Sequence, residues 1–369
     1  MKLKELLKYL ESIAPPAFQE SYDNSGMQVG DPETEVDTVL LSLDITEEII
    51  EEAVRKGCQL IISHHPLIFK ALKRISGKTA VERIVWNAIS NNIAVYSMHT
   101  NLDVIRGGVS YRMAEKMKLS NIGVLLPLDN KLLKLVVFVP LEHAGKVRDA
   151  IFNAGAGYIG NYDRCSYNIR GEGTFRAGPA SDPYAGEQGK EHREEEIRIE
   201  TVLPEHLKSR VIKAMIEAHP YEEVAYDLYR IENPVPGAGL GCIGELPDEP
   251  ADKEFIEIIS RVFDAKGVRH TALKGRKIRK VALMGGSGGQ YVNEAIAAGA
   301  DAFLTADIKY HSFFDAGNDI LLADIGHYES EIPAVEILHE LITKKFPKFA
   351  VRFSEINTNP VNYSQVWQK

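Results

Sequence analysis

Two histidines stand side by side in Ser63-His64-His65-Pro66, just where the apolar run CQLIIS ends. The carboxyl end of a strand is where open α/β sheets hold their ligands. Successive strand residues point to opposite faces, so both imidazoles reach one site only if the chain turns there, and Pro66 with its fixed φ helps supply the turn. Two further pairs have the same character: His99 and Asp103, four apart after IAVYSM, and His327 and Glu331, four apart after ILLAD. If Gly326-His327-Tyr328 opens a helix that Pro333 enters, His327 and Glu331 share one face of it. Imidazoles and carboxylates gathered at strand ends form a ligand set for cations. Their softness points to zinc first, with iron, manganese, nickel or cobalt as alternatives, whereas magnesium and calcium prefer an oxygen-only shell. For five or six protein ligands the economical arrangement is two ions about 3.5 to 4 Å apart, bridged by a carboxylate, with water acidified towards neutral pH completing the shells.

Other segments carry weaker signals. Met284-Gly285-Gly286-Ser287-Gly288-Gly289 lies between a strand and a helix, where a phosphate-cradling turn would sit, but it lacks the Lys-Ser/Thr of a P-loop and the spacing of a dinucleotide fingerprint. Close backbone approach explains it equally well. Asp307 and His311 in TADIKYH follow another strand and could support the ligands or handle protons, or simply cap a helix and face solvent. HPYEEVAYD reads as packing or subunit contact, and KGRKIRK at 274–280 as a solvated linker or strand edge.

These residues need elements to position them. From 37 to 65 the pattern is strand, helix, strand: DTVLLSLD, then ITEEIIEEAVRKG with helical spacing and a glycine stop, then CQLIIS. Such a βαβ unit implies a partly parallel sheet. Residues 281–307 repeat 39–65 without a gap, with Val281, Glu294, Ala295 and Gly299 falling on Val39, Glu52, Ala53 and Gly57. ILLADIGHYESE likewise repeats IAVYSMHTNLD, which sets His327 opposite His99 and Glu331 opposite Asp103. Between the halves the order βα, β, βα, β over 128–232 is that of a ferredoxin-like split βαβ unit, and its exit ENPVPGAGLGCIGELPDEP is rich in Pro and Gly. The expected fold class is α/β: two pseudo-symmetric halves, 1–127 and 233–369, form one main domain, and 128–232 is an inserted α+β domain.

Bulk properties agree with several domains, since 369 residues exceed one ordinary core. No stretch approaches the roughly 18 uninterrupted apolar residues of a membrane span. The start MKLKELLKYLESIAP lacks a signal peptide's apolar core, so it is read as a first helix of a cytoplasmic protein. Cys58, Cys165 and Cys242 are too scattered for a disulfide framework or a CxxC clip. A formal net charge of −9 argues against nucleic acid as a partner.

Taken in order, SYDNSGMQVG, SHHPLIF, HTNLD, TADIKYH and GHYESE resemble the Nif-three-like family, whose members are catalogued as GTP cyclohydrolase I type 2 homologues. The resemblance covers nearly all of 1–125 and 235–369, and the insert with HPYEEVAYD resembles the PII-like or CutA-like domain of the longer bacterial members. It implies two metal ions held by His64, His65, Asp103, His327 and Glu331, and a toroidal homohexamer with its metal sites facing an interior cavity. On this reading the protein is a metal-dependent hydrolase that acts on a nucleotide or phosphoester through a metal-activated water, with Glu331 and His99 in catalytic roles. His99 is expected one shell out from the metals, positioning the water or accepting its proton. The alternative is a non-catalytic regulatory or scaffold protein whose insert senses a ligand. The three cysteines cannot build the Cys-ligated zinc centre of the classical cyclohydrolase, so the catalogue name is not supported by shared ligands.

Overall fold

A computed structural model describes residues 1–364 of the chain. After the helix Leu3–Ile13 come β1 (Gly26–Val29), β2 (Thr38–Ser42), β3 (Leu60–Ser63), β4 (Ala94–Ser97) and β5 (Ser120–Pro127). The middle of the chain supplies β6 (Leu132–Pro140), β7 (Tyr167–Arg176), β8 (Glu191–Pro204) and β9 (Tyr226–Ile231). The remainder supplies β10 (Gly239–Glu245), β11 (Arg269–His270), β12 (Lys280–Ser287), β13 (Ala302–Ala306), β14 (Leu321–Asp324) and β15 (Ala350–Phe353). The chain divides into two compact units, Met1–Leu126 with Gly239–Lys369, and Pro127–Ala238. Among the described residues no helix is long and apolar enough to cross a membrane.

The larger unit holds two sheets, ordered β1-β4-β3-β2-β15 and β11-β14-β13-β12-β10-β5. In the first, β15, β2, β3 and β4 are parallel and β1 is an antiparallel edge. In the second, β12, β13 and β14 are parallel, with β10 and β11 antiparallel on either side. Every residue of β3, β4, β13 and β14 is buried. Strands covered on both faces are largely apolar, so they read as near-continuous runs and not as alternation, broken only near their carboxyl ends by Ser63, Ser97, Thr305 and Asp324. In the first sheet Leu40, Ile61 and Val95 pack against Ile49, Ile50 and Ala53 of the helix Glu47–Arg55 and against Ile84 and Val85 of Ala80–Ser90. Each of the Leu, Ile and Val side chains among them contributes about 1.5–3 kcal/mol on leaving water. Thr46 and Thr79 cap these helices by accepting from Ile49 N and Glu82 N, and Gly57, at φ +64°, stops the first in the left-handed conformation that glycine adopts without cost.

The strand registers correct one part of the repeat. Val39, Leu60 and Ala94 form one row across β2, β3 and β4, while Val281, Ala302 and Leu321 form the matching row across β12, β13 and β14. Counted from these rows, Gly326 and not His327 is the counterpart of His99. The second half carries one extra residue after its strand, taken up by Gly326 at φ +95°. The two histidines therefore approach the strand ends from non-equivalent backbone positions.

In the smaller unit the strands are antiparallel in the order β7-β8-β6-β9, with helices Ala144–Asn153 and Lys208–Ala218 in the connections. Its core joins Leu135, Val137, Val139 and Ile199 to Val147, Ile151, Val211 and Met215 from the helices.

Candidate metal centre

β3 ends at Ser63, and the next two N–H groups donate in succession to the strand alongside: His64 N to Ser42 O (3.3 Å) and His65 N to Leu43 O (3.0 Å). In a regular strand these directions alternate, so the chain turns here and both imidazoles reach one centre, their ring centroids 5.2 Å apart. His99 follows β4 and opens the short helix Thr100–Asp103, which carries Asp103 at its end. His327 opens the helix His327–Glu331, and its Nε2 lies 2.8 Å from Glu331 Oε2 one turn on. All six sequence-derived candidates therefore converge.

The rings are oriented by a common device. His64 Nδ1 donates to the carbonyl of Met98 (2.7 Å), His65 Nδ1 to Asp44 Oδ1 (2.7 Å), His99 Nδ1 to Asp23 Oδ1 (2.8 Å) and His327 Nδ1 to Asp307 Oδ2 (2.7 Å). These acceptors take the Nδ1 proton and aim each Nε2 at the centre, as oxygen partners of metal-binding histidines do; at His65 and His327 the Nε2 proton is donated to Glu331, and a bound cation would take that proton's place. Glu331 Oε2 sits 2.7 Å from His65 Nε2 and 3.8 Å from His64 Nε2, and His64 Nε2 is 3.6 Å from Asp103 Oδ1. Three groups have ligand atoms within 4.8 Å of one another: His64, His65 and His99; His65, His327 and Glu331; and His64, Asp103 and Glu331. His64, His65 and Glu331 each belong to two of the three, so the groups form one continuous cluster.

Over residues 1–360 the chain matches the family model described as Duf34/NIF3 (NGG1p interacting factor 3). The chain belongs to this family. Among its relatives, a "GTP cyclohydrolase 1 type 2 homolog" of Halalkalibacterium halodurans is 39% identical over 363 residues, covering 97% of this chain and 98% of the relative. One of the same description from Bacillus subtilis is 38% identical, covering 98% of each. The crystal structure of a Bacillus cereus protein related to NIF3 superposes with a TM-score of 0.83 at 40% identity, over 98% of this chain and 99% of that one. A Staphylococcus aureus protein superposes with 0.79 at 30% identity, over 99% of each.

The electrostatics of this Duf34/NIF3 member are set by burial and by close pairing. Burial drives the fully enclosed His64 down to about 3, so it is neutral at ordinary pH. Burial and the neighbouring Glu331 charge hold the Asp103 carboxyl well above the usual carboxylate range. At Glu331 burial acts the same way, but hydrogen bonds from His327 and His65 outweigh it and hold the carboxyl well below that range. Burial opposes charge on His65 and His327 too, yet their bonds to Asp44, Asp307 and Glu331 raise them to about 9 and about 11. Shifts this strong and opposed within one cleft mark functional clusters. Two of the buried atoms, His64 Nε2 and Asp103 Oδ1, have no hydrogen-bond partner. The donor set and these unpaired atoms fit a soft divalent cation.

The remaining sequence signals resolve unevenly. The glycine run belongs to the cluster's packing: a Cβ at Gly286 would lie 2.0 Å from Glu331 Oε1, and Gly286 N donates to Ser330 Oγ (3.0 Å). Asp307 orients His327, whereas His311 is exposed and its ring lies beside Tyr310 and Phe314. Sequence reasoning missed Asp44 and Asp23. Asp44 closes the run DTVLLSLD, so its strand-end position was a usable signal, although the repeat sets the side-chain-less Gly286 opposite it. Asp23 lies in SYDNSGM with no periodic cue. Also missed were Tyr22, Phe69 and Tyr291, which line a cavity of about 410 Å³ reaching His65, His99, Asp103 and Glu331.

Proposed function

We propose that this cluster is a dinuclear metal centre with His64, His65, Asp103, His327 and Glu331 as ligands, and that the protein is a hydrolase acting on a nucleotide or phosphoester. The observation that carries the reading is the unpaired, buried couple His64 Nε2 and Asp103 Oδ1, 3.6 Å apart and flanked by Glu331. Leaving a buried polar atom unsatisfied costs about 1–3 kcal/mol, and more for a charged one, a cost that a bound cation removes. Two divalent ions, zinc first and iron, manganese, nickel or cobalt next, would supply Lewis acidity and acidify water towards neutral pH. The chain's own groups do the rest. Glu331 orients His65 and His327. His99, steadied by Asp23, presents Nε2 towards the centre and can hold or move a proton there. The adjoining 410 Å³ cavity is of the size that holds small molecules. A nucleotide is suggested by the relatives' printed name, and a phosphoester by the chemistry of paired cations.

The wider scheme proposed here takes 1–127 and 233–369 as the metal-binding halves and 128–232 as a PII-like or CutA-like insert. The β6-to-β9 topology supports the insert. A toroidal homohexamer rests on the family resemblance, and a cytoplasmic location on the character of the amino terminus.

One observation favours a second reading. Three donors come from the first sheet's strand ends and two from the second's, so metal would tie the halves together in a non-catalytic regulatory or scaffold protein. Metal analysis of the purified protein with a turnover screen of nucleotides, cyclic nucleotides and simple phosphoesters separates the two. Turnover abolished by Glu331→Ala supports the hydrolase; metal-dependent stability without any turnover supports the scaffold.

A further inference from the structure

The smaller unit has a cavity of its own. Phe138, Arg198 and Ile169 are register partners across β6, β8 and β7, on the face of the sheet opposite the helix-covered Val137 and Ile199. Over that face lies a cavity of about 620 Å³, closed by the segments around 177–184 and 221–225. Its size falls in the range of small-molecule sites.

The walls are aromatic and the floor is a carboxylate. Tyr221 stands 6.0 Å, ring to ring, from both Phe175 and Tyr184. Tyr184 is fastened from behind: its hydroxyl donates to Glu142 and lies 2.8 Å from His143 Nε2. Glu196 on β8 is only 8% exposed and lines the cavity. Its Oε1 accepts from the Tyr221 hydroxyl (2.9 Å), while Oε2 occupies space that exists only because residue 173 is glycine, since a Cβ there would lie 2.3 Å away. Among the described residues no basic side chain forms an ion pair with Glu196. Two arginines also line the cavity, but Arg198 is paired with Glu200 (2.9 Å), which leaves Arg176 against Glu196, Glu222 and Glu223.

A largely buried carboxylate without a cationic partner presents uncompensated negative charge to the cavity, and ring faces attract cations through their quadrupoles. A compact metal ion would need six or more oxygen ligands, which one buried glutamate cannot supply. A large, weakly hydrated organic cation needs only ring faces and one counter-charge. We propose that this cavity binds an organic cation, a protonated or quaternary ammonium group on an apolar or aromatic body, with the ammonium between Tyr221, Tyr184 and Glu196. The site is separate from the metal cluster and does not depend on how that cluster is read.

The test is calorimetric titration of the full chain with choline and with benzyltrimethylammonium, alongside 3,3-dimethylbutan-1-ol, the uncharged isostere of choline. At least one ammonium should bind saturably in the micromolar to low millimolar range, and choline at least tenfold more tightly than the alcohol. Glu196→Gln, nearly isosteric, and Tyr221→Leu should each weaken ammonium binding at least tenfold. Gly173→Ala, which displaces the Glu196 carboxylate from outside the aromatic wall, should do the same. Thermal midpoints and metal content close to wild type establish that each variant is folded. The proposal is overturned if neither ammonium binds below about 10 mM, if the alcohol binds as well as choline, or if both Glu196→Gln and Gly173→Ala retain wild-type affinity.

Discussion

Gly286→Ala probes the cluster without touching a donor atom. Gly286 sits at φ +63°, and an added Cβ would lie 2.0 Å from Glu331 Oε1 and 3.4 Å from His327 Cε1. The left-handed backbone alone costs alanine about 1 kcal/mol relative to glycine. A 2.0 Å approach cannot be absorbed, because Glu331 is 4% exposed and held by His65 at 2.7 Å and His327 at 2.8 Å. The carboxylate must swing away, and each hydrogen bond to a charged group is worth about 1.5–3 kcal/mol. With some contacts re-formed, the loss is roughly 3–5 kcal/mol, or on the order of 10 °C in thermal midpoint for a unit of this size. Gly275→Ala is the control, since Gly275 has φ +71° with nothing within 4 Å of its Cβ and bears only the backbone cost. Calorimetry of both variants in chelator, followed by metal analysis after reconstitution, isolates the contribution of the cluster. Gly286→Ala should be the less stable by several degrees and should retain fewer ions. Equal midpoints and full metal content in both variants would refute the claim that Glu331 is fixed by this glycine and needed at the centre.

His64→Ala and His327→Ala should each lose at least one ion and the stabilisation that metal confers, because binding to the native state alone stabilises it by mass action; a His327→Ala protein that kept both ions at wild-type affinity would separate the second half from the site. Residues 127–238 should be removable with a short bridge, since the Leu126 carbonyl lies against Gly239. Circular dichroism and metal analysis check this, and an insoluble or metal-free product would contradict it. His99→Ala should keep two ions while lowering any turnover found by about 10²- to 10⁴-fold, the usual worth of a positioned proton-transfer group; loss of one ion would instead make His99 a ligand.

The sequence by itself determined where the donors stand. Parallel strands buried on both faces are largely apolar, so CQLIIS, IAVYSM and ILLAD announce themselves, and the polar residues that follow them fall at the sheet edge. The i, i+4 relation of His327 and Glu331 was equally readable, because helix geometry is local. Tertiary structure alone decided how the rings are aimed. Asp44 meets His65 across 21 residues, Asp23 meets His99 across 76, and Glu331 meets His65 across 266. No periodicity encodes such distances; the first two arise where segments meet at the edge of one sheet, and the last only when strand ends from the two sheets are brought together. The repeat put His99 opposite His327, but the sheet registers set Gly326 there, since one added residue at a glycine leaves no trace in hydrophobic pattern. The purpose of the glycine run was hidden for the same reason: a missing side chain has meaning only through the carboxylate that folds into its place.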